Sequence, residues 1–187
     1  MPRTPDPNKR AELLRAITEY LQEHGVADLS LAPLAEKIGT SKRMLLYYFQ
    51  DRGTLLAEAL AANRLNVSEL FEDVQDREGL RVGASAMWHS IAKGGARHRF
   101  IRVQLQVLSL ATTQPEIYGS FAVTAVHVMT QPIAAAFERA GFAPDEAEAR
   151  ATLVVSGLRG LCQDLLVTDD RERVDAAAQM LIDAATS

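Results

Sequence analysis

Cysteine is nearly absent from this sequence, and so are the residue groupings on which enzymes usually rely. The single cysteine, Cys162, has no partner for an internal disulfide, which fits a reducing cytoplasm. The four histidines show no metal-ligand spacing with one another or with Cys162, and no glycine-rich phosphate loop is present. We therefore expect no metal, no other cofactor and no catalytic centre, and we interpret Cys162 as a small apolar core or interface group.

Aromatic residues are also few, at 6% of the 187 residues, whereas alanine and leucine are plentiful. This composition favours helices, and a hydrophobic share of 48% is enough to bury a real core. No unbroken run of about twenty apolar residues occurs, so we expect no membrane-spanning segment. The prediction is an all-α protein.

Charge is distributed unevenly along the chain. The formal net charge of −4 argues against a nonspecific coat on nucleic acid but permits a local basic surface. Residues 37–52 contain four cations and one carboxylate, which gives a local charge of +3. Residues 61–187 contain twelve basic and sixteen acidic residues, which gives −4. Positive charge is therefore concentrated in one short segment.

That segment lies within residues 30–56, which have the pattern of a helix-turn-helix. An apolar face at helical spacing runs from Leu31 to Ile38, and Gly39 suits the following turn because a left-handed backbone costs glycine little. Ser41 is a suitable cap for the next helix. A plain helical hairpin explains each feature singly, but their combination favours a DNA-binding surface. The candidate DNA-binding residues are Thr40, Ser41, Lys42, Arg43, Met44, Tyr47, Tyr48 and Arg52.

Lys42 and Arg43 occupy a helix start, where cations oppose the helix dipole. Contacts with guanine outweigh that opposition, so a reading role is favoured over a solvated helix end. Met44 suits either a thymine methyl group or simple packing, and these alternatives stay open. Arg52 is expected to contact a phosphate beside the start of the next helix.

Residues 9–60 resemble the amino-terminal DNA-binding domain of TetR-family transcriptional regulators. Leu46 stands where that family usually has a tyrosine, so Tyr47 or Tyr48 is expected to supply the phosphate contact. The remainder of the chain resembles the family only in helical character and length. The residues that carry the resemblance are Leu34-Ala35, Gly39, Ser41-Lys42, Leu45, Tyr48-Phe49, Arg52 and Leu55-Leu56.

The resemblance implies two domains, a helix-turn-helix DNA-binding domain of three helices over residues 8–52 and a larger helical ligand-binding and dimerisation domain over residues 53–187. We expect a helix that begins near Asp51 to continue to about Phe71 as the sole connection between them. The resemblance also implies an apolar ligand cavity, although ordinary core packing explains the same aromatic residues. The candidate ligand-binding residues are Trp88, Phe100, Phe121 and His127.

Small residues at helical spacing mark the segment near residue 157. Glycine inside a helix is unfavourable by about 1 kcal/mol relative to alanine, and close approach of another helix offsets this. The resemblance implies that the last two helices pair with their copies in a dimer, whereas packing within one chain is the alternative. The candidate dimer-interface residues are Leu153, Ser156, Gly157, Gly160 and Leu161.

The expected function is sequence-specific binding to operator DNA with an inverted repeat, as a cytoplasmic homodimer without membrane partners. Repression relieved by an unknown small-molecule ligand is the favoured mode of action, as the resemblance implies. A helical enzyme and a ligand-binding protein without DNA binding are the alternatives. The enzyme would need a convergent polar site, which the sequence does not show, and the intact basic cluster at residues 39–52 argues against a protein without DNA binding.

Overall fold

The computed structural model describes residues 6–26, 29–62 and 64–187, and within these ranges the regular elements are all helices. The all-α prediction is thereby confirmed. The helices are α1 (Pro7–His24), α2 (Leu31–Lys37), α3 (Lys42–Phe49), α4 (Arg52–Ala61), α5 (Val67–Phe71), α6 (Arg77–Ala92), α7 (Ala96–Thr113), α8 (Pro115–Arg139), α9 (Pro144–Thr168) and α10 (Arg171–Thr186).

The fourth helix is shorter than the sequence predicted. Helix α4 ends at Ala61, and α5 is a separate helix that begins at Val67. Asn66 occupies the position before α5, and its side-chain amide donates a hydrogen bond of 2.6 Å to Glu69. Asparagine favours helix starts over helix interiors because its short amide competes with the backbone for hydrogen bonds. The expected continuous helix from Asp51 to Phe71 was therefore wrong.

The chain divides into two compact units. The amino-terminal unit contains the chain up to Arg64 together with Arg99–Ala122, and the carboxy-terminal unit contains Leu65–His98 and Val123–Ser187. The boundary expected at residues 52 and 53 falls inside the first unit. Helices α7 and α8 each contribute residues to both units. Helix α4 is consequently not the sole covalent connection between the units.

The amino-terminal unit has a core built from α1, α3 and α4. Helix α1 buries a stripe that includes Ile17 and Leu21, and α3 buries Leu45 and Phe49. Arg10 of α1 forms an ion pair with Glu58 of α4. Its guanidinium also lies over the Phe49 ring, 5.2 Å from the ring centre. This arginine therefore joins three helices around one aromatic residue.

The turn between α2 and α3 depends on glycine. Gly39 adopts a φ of +70°, a conformation that other residues rarely take. The Thr40 backbone N–H donates to the Ala35 carbonyl at 2.8 Å, which closes the end of α2. Ser41 then caps α3, since its hydroxyl accepts a 3.2 Å hydrogen bond from the Met44 N–H. The predicted helix-turn-helix and its serine cap are both confirmed.

The connection between α3 and α4 is only two residues long, and the first of them, Gln50, is strained. Gln50 has φ 64° and ψ −60°, and the Asp51 N–H donates to the Phe49 carbonyl at 2.7 Å. This is a γ-turn with positive φ, a rare and strained conformation for a residue with a side chain. Asp51 then caps α4 by accepting a 2.8 Å hydrogen bond from the Thr54 N–H. The two helices are thus joined with almost no intervening chain.

The carboxy-terminal unit packs α9 against α10 and packs α6 against both. Buried apolar residues of all three helices form its core, and polar side chains join their ends. The Trp88 indole N–H donates to the Asp175 carboxylate at 2.8 Å. Arg171 donates to the Ala92 carbonyl, and Arg150 donates to the Ala185 carbonyl at 2.6 Å. Arginines therefore satisfy carbonyl groups that the ends of α6 and α10 leave without helical partners.

The tight connection between α9 and α10 carries a small charged cluster. Asp169 ends α9 with a left-handed φ of 55°. Arg173 of α10 donates hydrogen bonds to Asp164 of α9 at 2.7 and 2.9 Å and to Asp170 at 3.0 Å. The hydrogen bonds from Arg173 lower the pKa of the Asp164 carboxyl. This cluster keeps the two helices aligned where the chain reverses.

Helix α8 departs from the expectation that no segment suits a membrane. Pro115–Arg139 is long and apolar enough to cross a bilayer by length and composition, and 17% of its most apolar stretch is buried. Polar residues such as His127 and Gln131 interrupt the apolar run, which is why no unbroken stretch was evident in the sequence. One such helix is weak evidence, because helices of soluble proteins meet the same criterion.

Two adjacent leucines provide a test of the α3 core. Leu45 is fully buried, whereas Leu46 is 38% exposed. We expect Leu45→Ala to lower the free energy of unfolding by about 2–5 kcal/mol, because it leaves a cavity among packed helices. The matched variant Leu46→Ala should change it by no more than about 0.5 kcal/mol. Chemical denaturation followed by circular dichroism measures both, and equal losses would contradict the assigned orientation of α3.

Gly83 of α6 provides a similar test of the carboxy-terminal unit. A Cβ at this position would lie 2.9 Å from the Leu70 carbonyl oxygen and 3.0 Å from the Phe71 ring. Gly83→Ala should therefore destabilise the protein by about 1–3 kcal/mol. The control is Gly119→Ala in α8, where the nearest atom lies 3.6 Å away. That variant should be neutral or slightly stabilising, and thermal unfolding that ranks the two variants in the opposite order would refute the contact.

Candidate nucleic-acid interface

The first turn of α3 presents a basic, exposed surface. Lys42, Arg43 and Met44 are all exposed, while Leu45 behind them is buried. This separation follows from the helical period, since residues three and four positions apart share a face. The surface lies at the amino-terminal tip of a helix that follows a short turn. In helix-turn-helix proteins this is the part of the recognition helix that contacts base edges.

The two cations at this tip are not engaged elsewhere. Among the described residues, neither Lys42 nor Arg43 has a carboxylate within ion-pair distance. A helix start that carries cations without partners is electrostatically unfavourable by about 0.3–1 kcal/mol per charge. The arrangement is favourable when an anion of high charge density, such as DNA, approaches the tip.

The tyrosines of α3 differ in exposure. Tyr47 is 46% exposed and Tyr48 is half-buried, and their rings meet edge to face with centres 5.2 Å apart. Leu46 is 38% exposed, so an apolar side chain lies on the outer surface beside them. Tyr47 is thus the more accessible of the two candidate phosphate contacts. Thr40 is half-buried in the preceding turn, and the Ser41 hydroxyl is used in the α3 cap.

The side chain of Arg52 contacts its own chain more than the sequence suggested. Its guanidinium lies over the Tyr118 ring, 5.6 Å from the ring centre. The Nε atom of Arg52 and the hydroxyl of Tyr118 are both buried without hydrogen-bond partners. Arg52 is therefore held at the start of α4, and unsatisfied hydrogen-bonding capacity remains beside it.

A cleft of about 470 Å³ lies beside Arg52 within the amino-terminal unit. Its walls are the first turns of α4 and the first turns of α8. Phe121 lines this cleft, as do Ala57 and Ile117. Of the four candidate ligand-binding residues, Phe121 is the one on this wall.

The other three candidate ligand-binding residues have different surroundings. Trp88 is 4% exposed, and its indole N–H already donates to Asp175. Phe100 is 3% exposed, as expected for a core residue. His127 is exposed on α8. The described cleft does not bring Trp88, Phe100 and His127 together with Phe121.

The candidate dimer residues form two groups on α9. Leu153, Ser156 and Gly160 are exposed, whereas Gly157 and Leu161 are half-buried. A Cβ on Gly157 would lie 2.5 Å from a methyl carbon of Leu181 in α10. Gly157 therefore permits close packing within one chain, which was the alternative interpretation. A Cβ on Gly160 would meet no atom within 4 Å.

Cys162 does not have the surroundings of a reactive thiol. Cys162 is buried, and desolvation raises its pKa to about 11. Its thiol is consequently protonated at neutral pH and a poor nucleophile. Within the described ranges, no three histidine, cysteine or carboxylate side chains lie close enough to share a metal ion.

Sequence reasoning missed the contact between α4 and α8. Gly53 approaches Ile117 so closely that a Cβ would lie 2.8 Å from the Ile117 carbonyl oxygen. Tyr118, which supports Arg52, also belongs to α8. More than sixty positions separate these residues in the sequence, and no local pattern relates them. The lone glycine in the first turn of α4 was the one available signal.

Comparison with known proteins agrees with this geometry. Residues 13–59 match the family described as bacterial regulatory proteins of the tetR family. A 55-residue segment is 36% identical to the HTH-type transcriptional regulator BetI of Stenotrophomonas maltophilia (strain R551-3). That segment covers 29% of this chain and 28% of the BetI protein. The family match therefore includes the helix-turn-helix region.

Solved structures extend the similarity of fold to nearly the whole chain. A transcriptional regulator from Rhodococcus sp. Rha1 has a TM-score of 0.71 at 21% identity, over 94% of this chain and 95% of that chain. NalD, the secondary repressor of the MexAB-OprM multidrug efflux pump in Pseudomonas aeruginosa, has a TM-score of 0.63 at 21% identity, over 96% of each chain. The sequence match to the tetR family thus lies within α1 to α4, and the solved structures share the fold of nearly the whole chain.

Proposed function

We propose that this protein binds an inverted-repeat operator as a homodimer and represses transcription until a small molecule releases it. The observation that supports this most directly is the pair of exposed cations, Lys42 and Arg43, on the tip of a capped recognition helix. A two-fold dimer places two such tips about one turn of DNA apart, or a multiple of it. A cytoplasmic location is part of this proposal.

The exposure of each side chain is the basis for the DNA contact that we propose for it. Lys42 and Arg43 contact base edges, with Met44 beside them as an apolar contact for a thymine methyl group. Tyr47 and Arg52 contact phosphates on either side, and Thr40 and Tyr48 support that contact from half-buried positions. The backbone N–H groups at the start of α4 add to the phosphate site.

Removal of a base-reading cation tests the operator contact. Lys42→Ala or Arg43→Ala should weaken operator binding by about 1–3 kcal/mol and should relax the base preference at the contacted positions. The control is Lys93→Ala, which removes an exposed cation from the carboxy-terminal unit. Fluorescence anisotropy measures the affinity of the three variants for the DNA upstream of the protein's own gene. Wild-type affinity in both α3 variants would show that another surface contacts the DNA.

Arg52 should behave differently because a phosphate contact carries no sequence information. Arg52→Ala should weaken binding to operator and non-operator DNA alike, and should reduce the slope of log affinity against log salt by about one. Titrations at several salt concentrations measure the slope. An unchanged slope, together with lost discrimination between sequences, would instead place Arg52 among the base contacts.

The proposed dimer interface centres on the exposed stripe of α9. Leu153, Ser156 and Gly160 lie on one side of the helix, and the small size of Ser156 and Gly160 permits close approach of a second helix. Gly157 and Leu161 border this stripe and also pack within the chain. An exposed leucine near small residues is typical of a partly apolar interface.

Gly160 is the sharper test of this interface. Gly160→Leu should weaken the dimer about tenfold or more, because overpacking at a helix contact costs about 1–3 kcal/mol, while a single chain has room for the side chain. Val82→Leu, at a position 55% exposed on α6, serves as the control. Sedimentation equilibrium measures both variants. A wild-type monomer at micromolar concentration, or an unchanged Gly160→Leu dimer, would overturn the interface.

Release by a ligand is proposed as a shift between conformations. A ligand that binds more tightly to the conformation with low DNA affinity lowers operator binding by that difference in affinity. A difference of about 1.4 kcal/mol is enough for a tenfold effect, and operator DNA must weaken ligand binding by the same factor. Trp88, Phe100, Phe121 and His127 stay proposed ligand contacts. The surroundings of Phe121 support it most directly, since it lines the described cleft.

A further inference from the structure

The cleft beside Arg52 has the composition of a small-molecule site. Its volume of about 470 Å³ falls within the usual range for ligand pockets. Ala57 of α4 and Ile117 and Phe121 of α8 supply apolar surface, and Arg52 supplies a cation. Because the α4 wall contains a residue expected to contact DNA, an occupant of this cleft would have direct access to the DNA-binding surface.

The polar groups near the cleft lack an acceptor. The Nε atom of Arg52 is buried without a hydrogen-bond partner, and Arg52 has no carboxylate at ion-pair distance in the part of the chain that the structure describes. Asp51 does not fill this role, since its two oxygens accept from the Thr54 N–H at 2.8 Å and from the Thr54 hydroxyl at 3.2 Å. The Arg52 side chain lines the cleft, so its guanidinium borders the space in which an acceptor would bind.

The position of the guanidinium is defined by packing. Arg52 lies over the ring of Tyr118, a residue 1% exposed, at 5.6 Å from the ring centre. The two walls of the cleft also approach closely at Gly53, where a Cβ would lie 2.8 Å from the Ile117 carbonyl oxygen. The cation is therefore held in place on a rigid wall, and little ordering is needed when an acceptor binds.

The charges around the cleft determine which kind of anionic group it favours as a ligand. A planar guanidinium matches a carboxylate group, which offers two oxygens in one plane. Glu116 on the opposite wall and Asp51 beside Arg52 are exposed carboxylates that also line the cleft. Their charges oppose anions of high charge, such as phosphate, more strongly than they oppose a single carboxylate. Apolar surface on Ile117 and Phe121 favours a ligand with a hydrophobic body.

We propose that this cleft binds a monocarboxylate whose apolar part is about the size of an aromatic ring system. The carboxylate pairs with Arg52, and the apolar part packs against Ile117 and Phe121. Occupation of the cleft withdraws Arg52 from the DNA backbone, so the carboxylate competes with DNA for one guanidinium. Only this last step rests on the proposed DNA-binding function. The binding site itself is independent of it.

Binding of a probe to the full chain without DNA tests the site. The probe is 1-naphthoate, whose own fluorescence anisotropy reports binding. Its neutral isostere 1-naphthalenemethanol and its cationic isostere 1-naphthylmethylamine should bind about tenfold more weakly or worse. Arg52→Gln should weaken naphthoate binding by about tenfold or more, with Arg52→Lys intermediate because it retains the charge but loses the planar donor pair. Arg15→Gln, which removes an exposed arginine of α1 outside the cleft, should bind like wild type.

A second variant separates shape from charge. Ala57→Leu should block the cleft and abolish naphthoate binding while Arg52 is retained. Circular dichroism confirms that each variant is folded. Wild-type naphthoate binding in both Arg52→Gln and Ala57→Leu would overturn the site. Tighter binding of the amine than of the acid, or displacement of naphthoate by an equal concentration of inorganic phosphate, would overturn the assigned ligand class.

Competition with DNA is tested separately. Naphthoate should weaken operator binding by wild type and should have no further effect on Arg52→Gln. If naphthoate binds in an Arg52-dependent manner while the DNA affinity of wild type stays constant, the site is supported and the competition is refuted. If the protein fails to bind DNA at all, the proposed regulatory function fails, and the naphthoate titrations still decide the site.

Discussion

The junction between α3 and α4 is the constraint on which the proposed DNA-binding surface depends. One residue, Gln50, turns the chain through a strained γ-turn, and Asp51 caps the next helix immediately afterwards. Burial of Phe49 before the turn and Leu55 after it keeps the strained backbone in place. Because almost no chain separates the two helices, the tip of α3 and Arg52 at the start of α4 are held as one rigid arrangement.

The residues at this junction are held rigidly, but they retain cations and hydrogen-bond donors that can bind an anion. The cations of α3 have no carboxylate partners among the described residues, and Arg52 retains a donor without an acceptor. Such groups reduce the stability of the free protein slightly, and they favour binding to anions. The proposed DNA contact and the proposed carboxylate site both draw on this property. Arg52 belongs to both, so a single guanidinium can couple a small molecule to DNA without a long-range conformational change.

In the carboxy-terminal unit, the presence of a glycine does not by itself show which helix packs against it. Gly157 and Gly160 are three residues apart on α9, and the sequence pattern groups them together. Gly157 makes room for Leu181 of the same chain, whereas Gly160 faces open space. The physical difference is the direction in which each Cα–H bond points around the helix. A small residue therefore marks a close approach, and the surrounding structure determines which helix approaches.

The amino-acid sequence alone determined the helical class, the helix-turn-helix and its caps. These depend on local rules: the helical spacing of Leu34 and Leu45, the left-handed conformation open to Gly39, and the hydrogen bonds that Ser41 and Asp51 accept. Tertiary structure alone decided that Arg52 rests on Tyr118 and that Gly53 meets Ile117. Those contacts join residues more than sixty positions apart. Their free energy comes from the packing of distant helices, which no local spacing of residues encodes.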